Sequence, residues 1–199
     1  QVLVKVEASS ICGRQIAEMT GAKGRDWNLP HLLGHEGCGI VEDIGAGVNT
    51  VAVGDKVVMH WRKGDGIESD FPRYKWGNGV IGGGLVTTLS EKAVVSENRL
   101  TKVDHEMSSV PAALLGCVST TALGLINNEA KLKIGEGIMV LGAGGVGLSV
   151  IQAAKLVSAY PIIAIDVDEA KLKKAEELGA THCFMNEPDL YRGQPAEVV

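Results

Sequence analysis

Gly137-Ile138-Met139-Val140-Leu141-Gly142-Ala143-Gly144-Gly145-Val146-Gly147-Leu148 is the stretch that decides the fold. Its first five residues are apolar and uncharged, the pattern of a buried parallel strand. Leu148-Ser149-Val150-Ile151-Gln152-Ala153-Ala154-Lys155 then has the spacing of an amphipathic helix, and Pro161-Ile162-Ile163-Ala164-Ile165 predicts a second strand ending at Asp166. A lone GxGxxG is weak evidence in a chain with 26 glycines. Here the glycines join a strand to a helix, and an acid follows about 20 residues on, the register of a dinucleotide-binding fingerprint.

Each position in that register has a physical task. Gly142 permits the tight turn, and Gly144 carries no side chain to hold a pyrophosphate off the backbone. Gly147 lets the helix approach the strand, and the free N–H groups of the first turn, from Gly145 and Val146 onward, face the phosphates. Asp166 can accept hydrogen bonds from both ribose hydroxyls and would repel a 2′-phosphate, so NAD is expected over NADP. A glycine-rich corner that binds nothing is the bland alternative, and the register counts against it.

Composition excludes several classes. The chain has 199 residues, enough for one or two domains with a sizeable core. A net charge of −5 with mixed signs leaves no basic footprint for nucleic acid. Cys12, Cys38, Cys117 and Cys183 are scattered, which argues for a reducing, cytoplasmic setting and for ligand or core roles rather than a disulfide framework. Residues 107–128 and 137–154 are uncharged but interrupted by polar residues or the glycine turn, so no membrane span is expected. The chain begins at Gln1 within a strand pattern, without an initiator Met, and is expected to be a fragment, with any targeting segment left open.

The first part has a different texture. Val2, Val4, Val6 and Ala8 alternate with Leu3, Lys5 and Glu7. Short β-rich runs follow at residues 39–44, 56–59 and 93–95, separated by glycine turns, and read as a small barrel or sandwich. From Ser108 the pattern turns helical, with Ser109 as expected N-cap and Pro111 in the first turn. The expected division is a β-rich domain over 1–118 and a dinucleotide-binding domain over 119–199.

Cys12, His35, Glu36 and Cys117 are residue types that bind metals, yet spacing alone does not make them ligands. A cysteine is often a small buried hydrophobe, and a histidine beside a carboxylate is often a surface pair. A Cys/His/Cys set with an open fourth position is, however, what a catalytic zinc uses.

With these residues in hand the chain resembles a known family. Cys12, then Gly34-His35-Glu36-Gly37-Cys38-Gly39-Ile40-Val41-Glu42-Asp43-Ile44-Gly45, Gly54-Asp55-Lys56-Val57, Leu115-Gly116-Cys117, the glycine loop and Glu177-Leu178-Gly179-Ala180-Thr181 look like the zinc-dependent medium-chain alcohol dehydrogenases. The resemblance implies an α/β protein with a GroES-like, β-barrel-type catalytic domain followed by a Rossmann doubly wound parallel sheet, here incomplete. It implies Cys12, His35 and Cys117 as ligands of one catalytic zinc, with Glu36 beside the metal. It further implies Asp166 and Lys171 at the adenosine ribose, Thr121 under the nicotinamide, and Trp61 in the substrate pocket. An ordinary core aromatic is an equally good reading of Trp61. The implied reaction moves a hydride between an alcohol or polyol and NAD, in a homo-oligomer (dimer or tetramer) acting on a small molecule, without nucleic acid or membrane.

Three departures qualify the resemblance. Arg14 stands where the family usually has a hydroxyl that relays the substrate proton, and a guanidinium stays protonated. It should therefore pair with a carboxylate, the cofactor pyrophosphate or an anionic substrate group. Gln15 replaces an Asp that orients the zinc histidine, so the negative charge is missing. No cysteine lies between Cys38 and Cys117, so a four-cysteine structural zinc is not expected; residues 61–76 read as a solvated loop with a few anchors. Two other functions compete: a zinc-free NADPH-dependent enone or quinone reductase of the same superfamily, and a non-catalytic relative that binds NAD and zinc.

Overall fold

Alternation sets the first unit. In the computed structural model, which describes residues 1–186, β1 (Val2–Ser9) buries Val2 and Val4 and exposes Lys5. α1 (Gly13–Met19) follows, and β2 (Glu36–Ile44) returns antiparallel to β1, with register shifts at Leu3/Val4 and Val6/Ala8. β3 (Lys56–His60) pairs antiparallel with β2. β4 (Arg73–Trp76) and β5 (Gly79–Gly82) make a separate hairpin. β6 (Lys92–Val95) pairs with β1 and β7 (Leu100–Lys102) with β3, giving the order β6-β1-β2-β3-β7. Val2, Val4, Val41, Val57, Met59 and Val95 form its core. Side chains of this kind contribute about 1.5–3 kcal/mol each when fully buried.

The 61–76 stretch departs from the expected loop. Its end is a strand, because Arg73-Tyr74-Lys75-Trp76 finds antiparallel partners across the turn at Gly77. Its middle is fastened to the buried turn Glu97–Arg99.

The N-cap position of α2 (Ser109–Ala113) falls one residue earlier than expected, at Ser108, which makes no side-chain capping bond. The Ser109 hydroxyl donates instead to the Glu7 carboxylate at 2.6 Å, a charge-assisted bond that outcompetes a capping role. Pro111 lies in the first turn, where its missing N–H costs nothing. A 3-10 turn, Leu114–Gly116, then delivers Cys117, the last residue of the first compact unit.

The second unit begins at Val118. α3 (Val118–Gly124) runs into a π-helical turn, Leu125–Glu129, and packs on α4 (Gly145–Leu156), which follows β8 (Ile138–Leu141). β9 (Ile162–Asp166), α5 (Glu169–Leu178) and β10 (His182–Met185) complete a parallel sheet of order β10-β9-β8. α4 buries Val150, Ile151, Ala153 and Ala154 and exposes Gln152 and Lys155, the two faces its spacing predicts. α5 starts at Asp168, whose side chain accepts from the Ala170 and Lys171 N–H groups.

β8 corrects a sequence expectation. It reads as buried throughout, yet Met139 is 57% and Leu141 75% exposed, because alternation turns them to the face opposite Val140, the residue of the three that joins the core. Among the described residues no single helix is long and apolar enough to cross a membrane.

Candidate metal centre and nucleotide loop

Four side chains distant in sequence converge in the first unit. Cys12 caps the start of α1, His35 precedes β2, Glu36 opens it, and Cys117 follows the 3-10 turn. The ligand atoms of Cys12, His35, Glu36 and Cys117 all lie within 4.8 Å of one another. A tetrahedral zinc with such ligands would set them about 3.3–3.8 Å apart. Two thiols, an imidazole and a carboxylate converging in a half-buried recess fit zinc in number and chemistry.

Backbone geometry makes the convergence possible. Glu36 is fully buried, and its carbonyl accepts from Ser10 N–H at 3.2 Å and from the Thr88 hydroxyl at 3.1 Å. A Cβ on Gly116 would stand 2.4 Å from the Met59 carbonyl oxygen and 3.0 Å from the Glu36 Cα. Only glycine lets that turn lie against β2 and β3, which brings Cys117 to Glu36. Neither Thr88 nor the packing role of Gly116 was legible in the sequence.

The electrostatics follow from burial. Burial first, and then the Glu36 and Cys12 charges, push the Cys117 thiol up to about 11. Its thiolate therefore needs a compensating cation, the condition that a divalent metal meets by displacing the proton. Burial pulls His35 below its usual range and favours the neutral imidazole, the ligating form.

The two departures beside Cys12 find definite places. Gln15 is buried, and its Nε2 lies 2.7 Å from His35 Nδ1 and 3.4 Å from Glu18 Oε2. Gln15 Oε1 is buried without a hydrogen-bond partner. A half-turn of the amide presents that oxygen to Nδ1–H and leaves His35 Nε2 to the metal. Arg14 is exposed, with Nε 3.8 Å from Glu18 Oε1. Trp61 is not a core aromatic: it is 45% exposed.

In the second unit the glycine loop has the geometry its motif predicts. Gly142 takes φ +94°, and Gly144 has open space where a Cβ would be. A Cβ on Gly147 would stand 1.9 Å from the Gly142 carbonyl oxygen, so α4 closes on the turn only with glycine there. Asp166 is buried: Oδ2 accepts from Ala143 N–H at 2.7 Å and Oδ1 from Asp168 N–H at 3.0 Å. The Ala143 bond leads the interactions that hold its carboxyl below the usual range. Lys171 Nζ stands 3.8 Å from Oδ1. A groove of about 280 Å³ runs beside Asp166, lined also by Leu141, Gly142, Ile165, Val167 and Asn186. Thr121 lies on α3, the helix that packs on α4.

Known proteins resemble this chain in sequence and fold. Residues 1–105 match the alcohol dehydrogenase GroES-like domain, and residues 145–193 match the zinc-binding dehydrogenase family. An S-(hydroxymethyl)glutathione dehydrogenase of Synechocystis is 34% identical over 92% of this chain and 56% of its own length. The benzyl alcohol dehydrogenase of Acinetobacter calcoaceticus superposes with a TM-score of 0.78 at 31% identity, over 92% of this chain and 55% of that one. A quinone oxidoreductase of Pseudomonas syringae gives 0.72 at 28% identity, over 92% and 49%. The chain thus spans about half the length of the curated relatives it matches.

Proposed function

Since this chain belongs to the zinc-dependent medium-chain alcohol dehydrogenase family, we propose that the protein oxidises an alcohol, or reduces the matching carbonyl, with NAD. The observation that carries this reading is the convergence of Cys12, His35, Glu36 and Cys117 within 4.8 Å. Cys12, His35 and Cys117 would hold one catalytic zinc, with Glu36 as an exchangeable fourth donor. When bound, zinc supplies Lewis acidity that favours the alkoxide form of the substrate. Bound NAD supplies the hydride acceptor.

The chain's own residues prepare that chemistry. Gln15 orients His35, so that one ring nitrogen is kept for the metal. The buried Glu36 carboxylate offsets part of the metal's charge. Gly142, Gly144 and Gly147 shape the turn that a pyrophosphate approaches, and Asp166 offers two acceptor oxygens to ribose hydroxyls while disfavouring a 2′-phosphate. The Arg14 guanidinium stays protonated, so we assign the proton relay to another group. The names of relatives suggest two test substrates, S-(hydroxymethyl)glutathione and benzyl alcohol.

Metal analysis combined with an alcohol panel tests the proposal. About one zinc per chain, with NAD reduction that is lost on chelation and restored by zinc, supports it. A metal-free protein that oxidises NADPH with quinones refutes it in favour of the zinc-free reductase. Zinc and NAD binding without turnover on the panel refutes it in favour of a non-catalytic relative.

A further inference from the structure

A groove of about 670 Å³ lies in the first unit, between the 26–31 segment and the β4–β5 hairpin. None of Cys12, His35, Glu36 and Cys117 lines it. Its walls carry large apolar side chains left in water, with Leu29 66%, Phe71 59% and Val80 53% exposed. Arg73 of β4 pairs with Gly82 of β5, and Gly82 bridges to His31 on its other side. The Leu32 N–H donates to the Gly82 carbonyl at 2.8 Å, and the Gly82 N–H to the Pro30 carbonyl at 3.1 Å.

Residues paired across neighbouring strands share a face. Arg73 and His31 therefore stand on one face, two strand spacings or about 10 Å apart. Gly82 between them has no side chain, and all three line the groove. Both ring nitrogens of His31 face acceptors, Nδ1 the Leu32 carbonyl at 2.7 Å and Nε2 the Asp26 carboxylate at 2.8 Å, so the ring carries both protons. The Leu32 carbonyl first, and then Asp26, hold it above its usual range. That cation balances Asp26, while Lys23 and Arg14 flank Glu18, the other acid of the groove. Arg73 is exposed and, among the described residues, has no counter-charge.

We propose that this groove binds a small organic monocarboxylate, its apolar body against Leu29, Phe71 and Val80 and its carboxylate over Gly82, beside the Arg73 guanidinium. A guanidinium presents two parallel N–H groups that match a carboxylate. His31 has no N–H to spare, so Arg73 is the donor. One uncompensated cation suits a single negative charge, whereas a phosphate dianion would also meet repulsion from Asp26 and Glu18. The apolar walls add affinity with the area they remove from water. The site is independent of the zinc reading.

Calorimetric titration of the intact protein with octanoate, octanol and octyl phosphate tests the proposal. Octanoate is expected to bind roughly tenfold more tightly than octanol, or better. Arg73→Gln should abolish that preference by weakening octanoate alone, and Arg73→Lys should restore part of it. Gly82→Val fills the gap and should weaken both ligands. A Cβ there meets only ordinary contacts, 3.7 Å from the His31 Cβ and the Pro30 carbonyl oxygen. If Gly82→Val does not fold, the two Arg73 variants decide alone, since that side chain is exposed. Octanoate that binds no better than octanol, or equally well to wild type and Arg73→Gln, overturns the proposal. Octyl phosphate binding more tightly than octanoate also overturns it. Octanoate binding that is lost in Cys117→Ser but kept in Arg73→Gln places the acid on the metal centre and overturns it too.

Discussion

Glu97→Gln should destabilise the first unit while leaving its shape nearly unchanged. Glu97 Oε1 accepts from Asn49 N–H at 2.7 Å and Thr50 N–H at 2.8 Å, and Oε2 from Ile67 N–H at 2.8 Å. A glutamine keeps one oxygen for Asn49 and Thr50 but turns an NH₂ group toward the Ile67 N–H. One buried donor is then orphaned and two others lose a charged acceptor, a cost of about 2–4 kcal/mol. Glu97→Ala orphans all three donors and should cost about 3–6 kcal/mol. Amide hydrogen exchange at Ile67, Asn49 and Thr50 is the direct assay. At about 2 kcal/mol, protection at Ile67 should fall roughly 30-fold in Glu97→Gln at pH 7. Acid supplies a second reading. These backbone bonds, Ile67 first, hold the Glu97 carboxyl down at about 2, against 4.5 for an ordinary glutamate. Since the folded value is the lower one, the stabilisation is complete above about 4.5 and is lost as pH falls through about 2. Wild type should therefore lose its advantage over Glu97→Gln across that window. Unchanged Ile67 protection at pH 7, or a gap between the two proteins that persists below pH 2, would refute the reasoning.

Other changes probe the two sites. Cys117→Ser should remove most of the bound zinc, because a hydroxyl is a far poorer ligand than a thiolate; stoichiometric zinc in that variant, by atomic absorption, contradicts the ligand assignment. Gln15→Ala leaves His35 Nδ1 without its 2.7 Å partner and should weaken zinc binding by roughly tenfold or more, read by chelator competition. Asp166→Ala should weaken NAD binding and relax the preference over NADP, and equal affinity of the wild-type protein for both cofactors would sink that reading. Gly147→Ala places a Cβ 1.9 Å from the Gly142 oxygen, so α4 must shift and NAD binding should be lost; an unaltered dissociation constant by calorimetry counts against the loop's role.

Local order and the nucleotide loop were legible in the sequence because each depends on neighbours along the chain. Alternation fixed β1, the glycine spacing fixed the turn between β8 and α4, and Asp166 ends β9 as the register requires. The zinc ligands were named through a family resemblance, since nothing in their spacing brings Cys12, His35 and Cys117 together. That meeting depends on the sheet register and on the close approach that Gly116 permits. Tertiary contacts likewise decided that Arg14 lies beside Glu18, that Trp61 stands outside the core, and that Met139 and Leu141 are exposed. They also made the end of the 61–76 segment one strand of a hairpin, where its composition suggested a solvated loop with a few anchors. Charge pattern along the chain tells which residues prefer water. It does not tell which buried partners, 30 or more residues away, will outbid the solvent, as Glu97 does for the Ile67 amide.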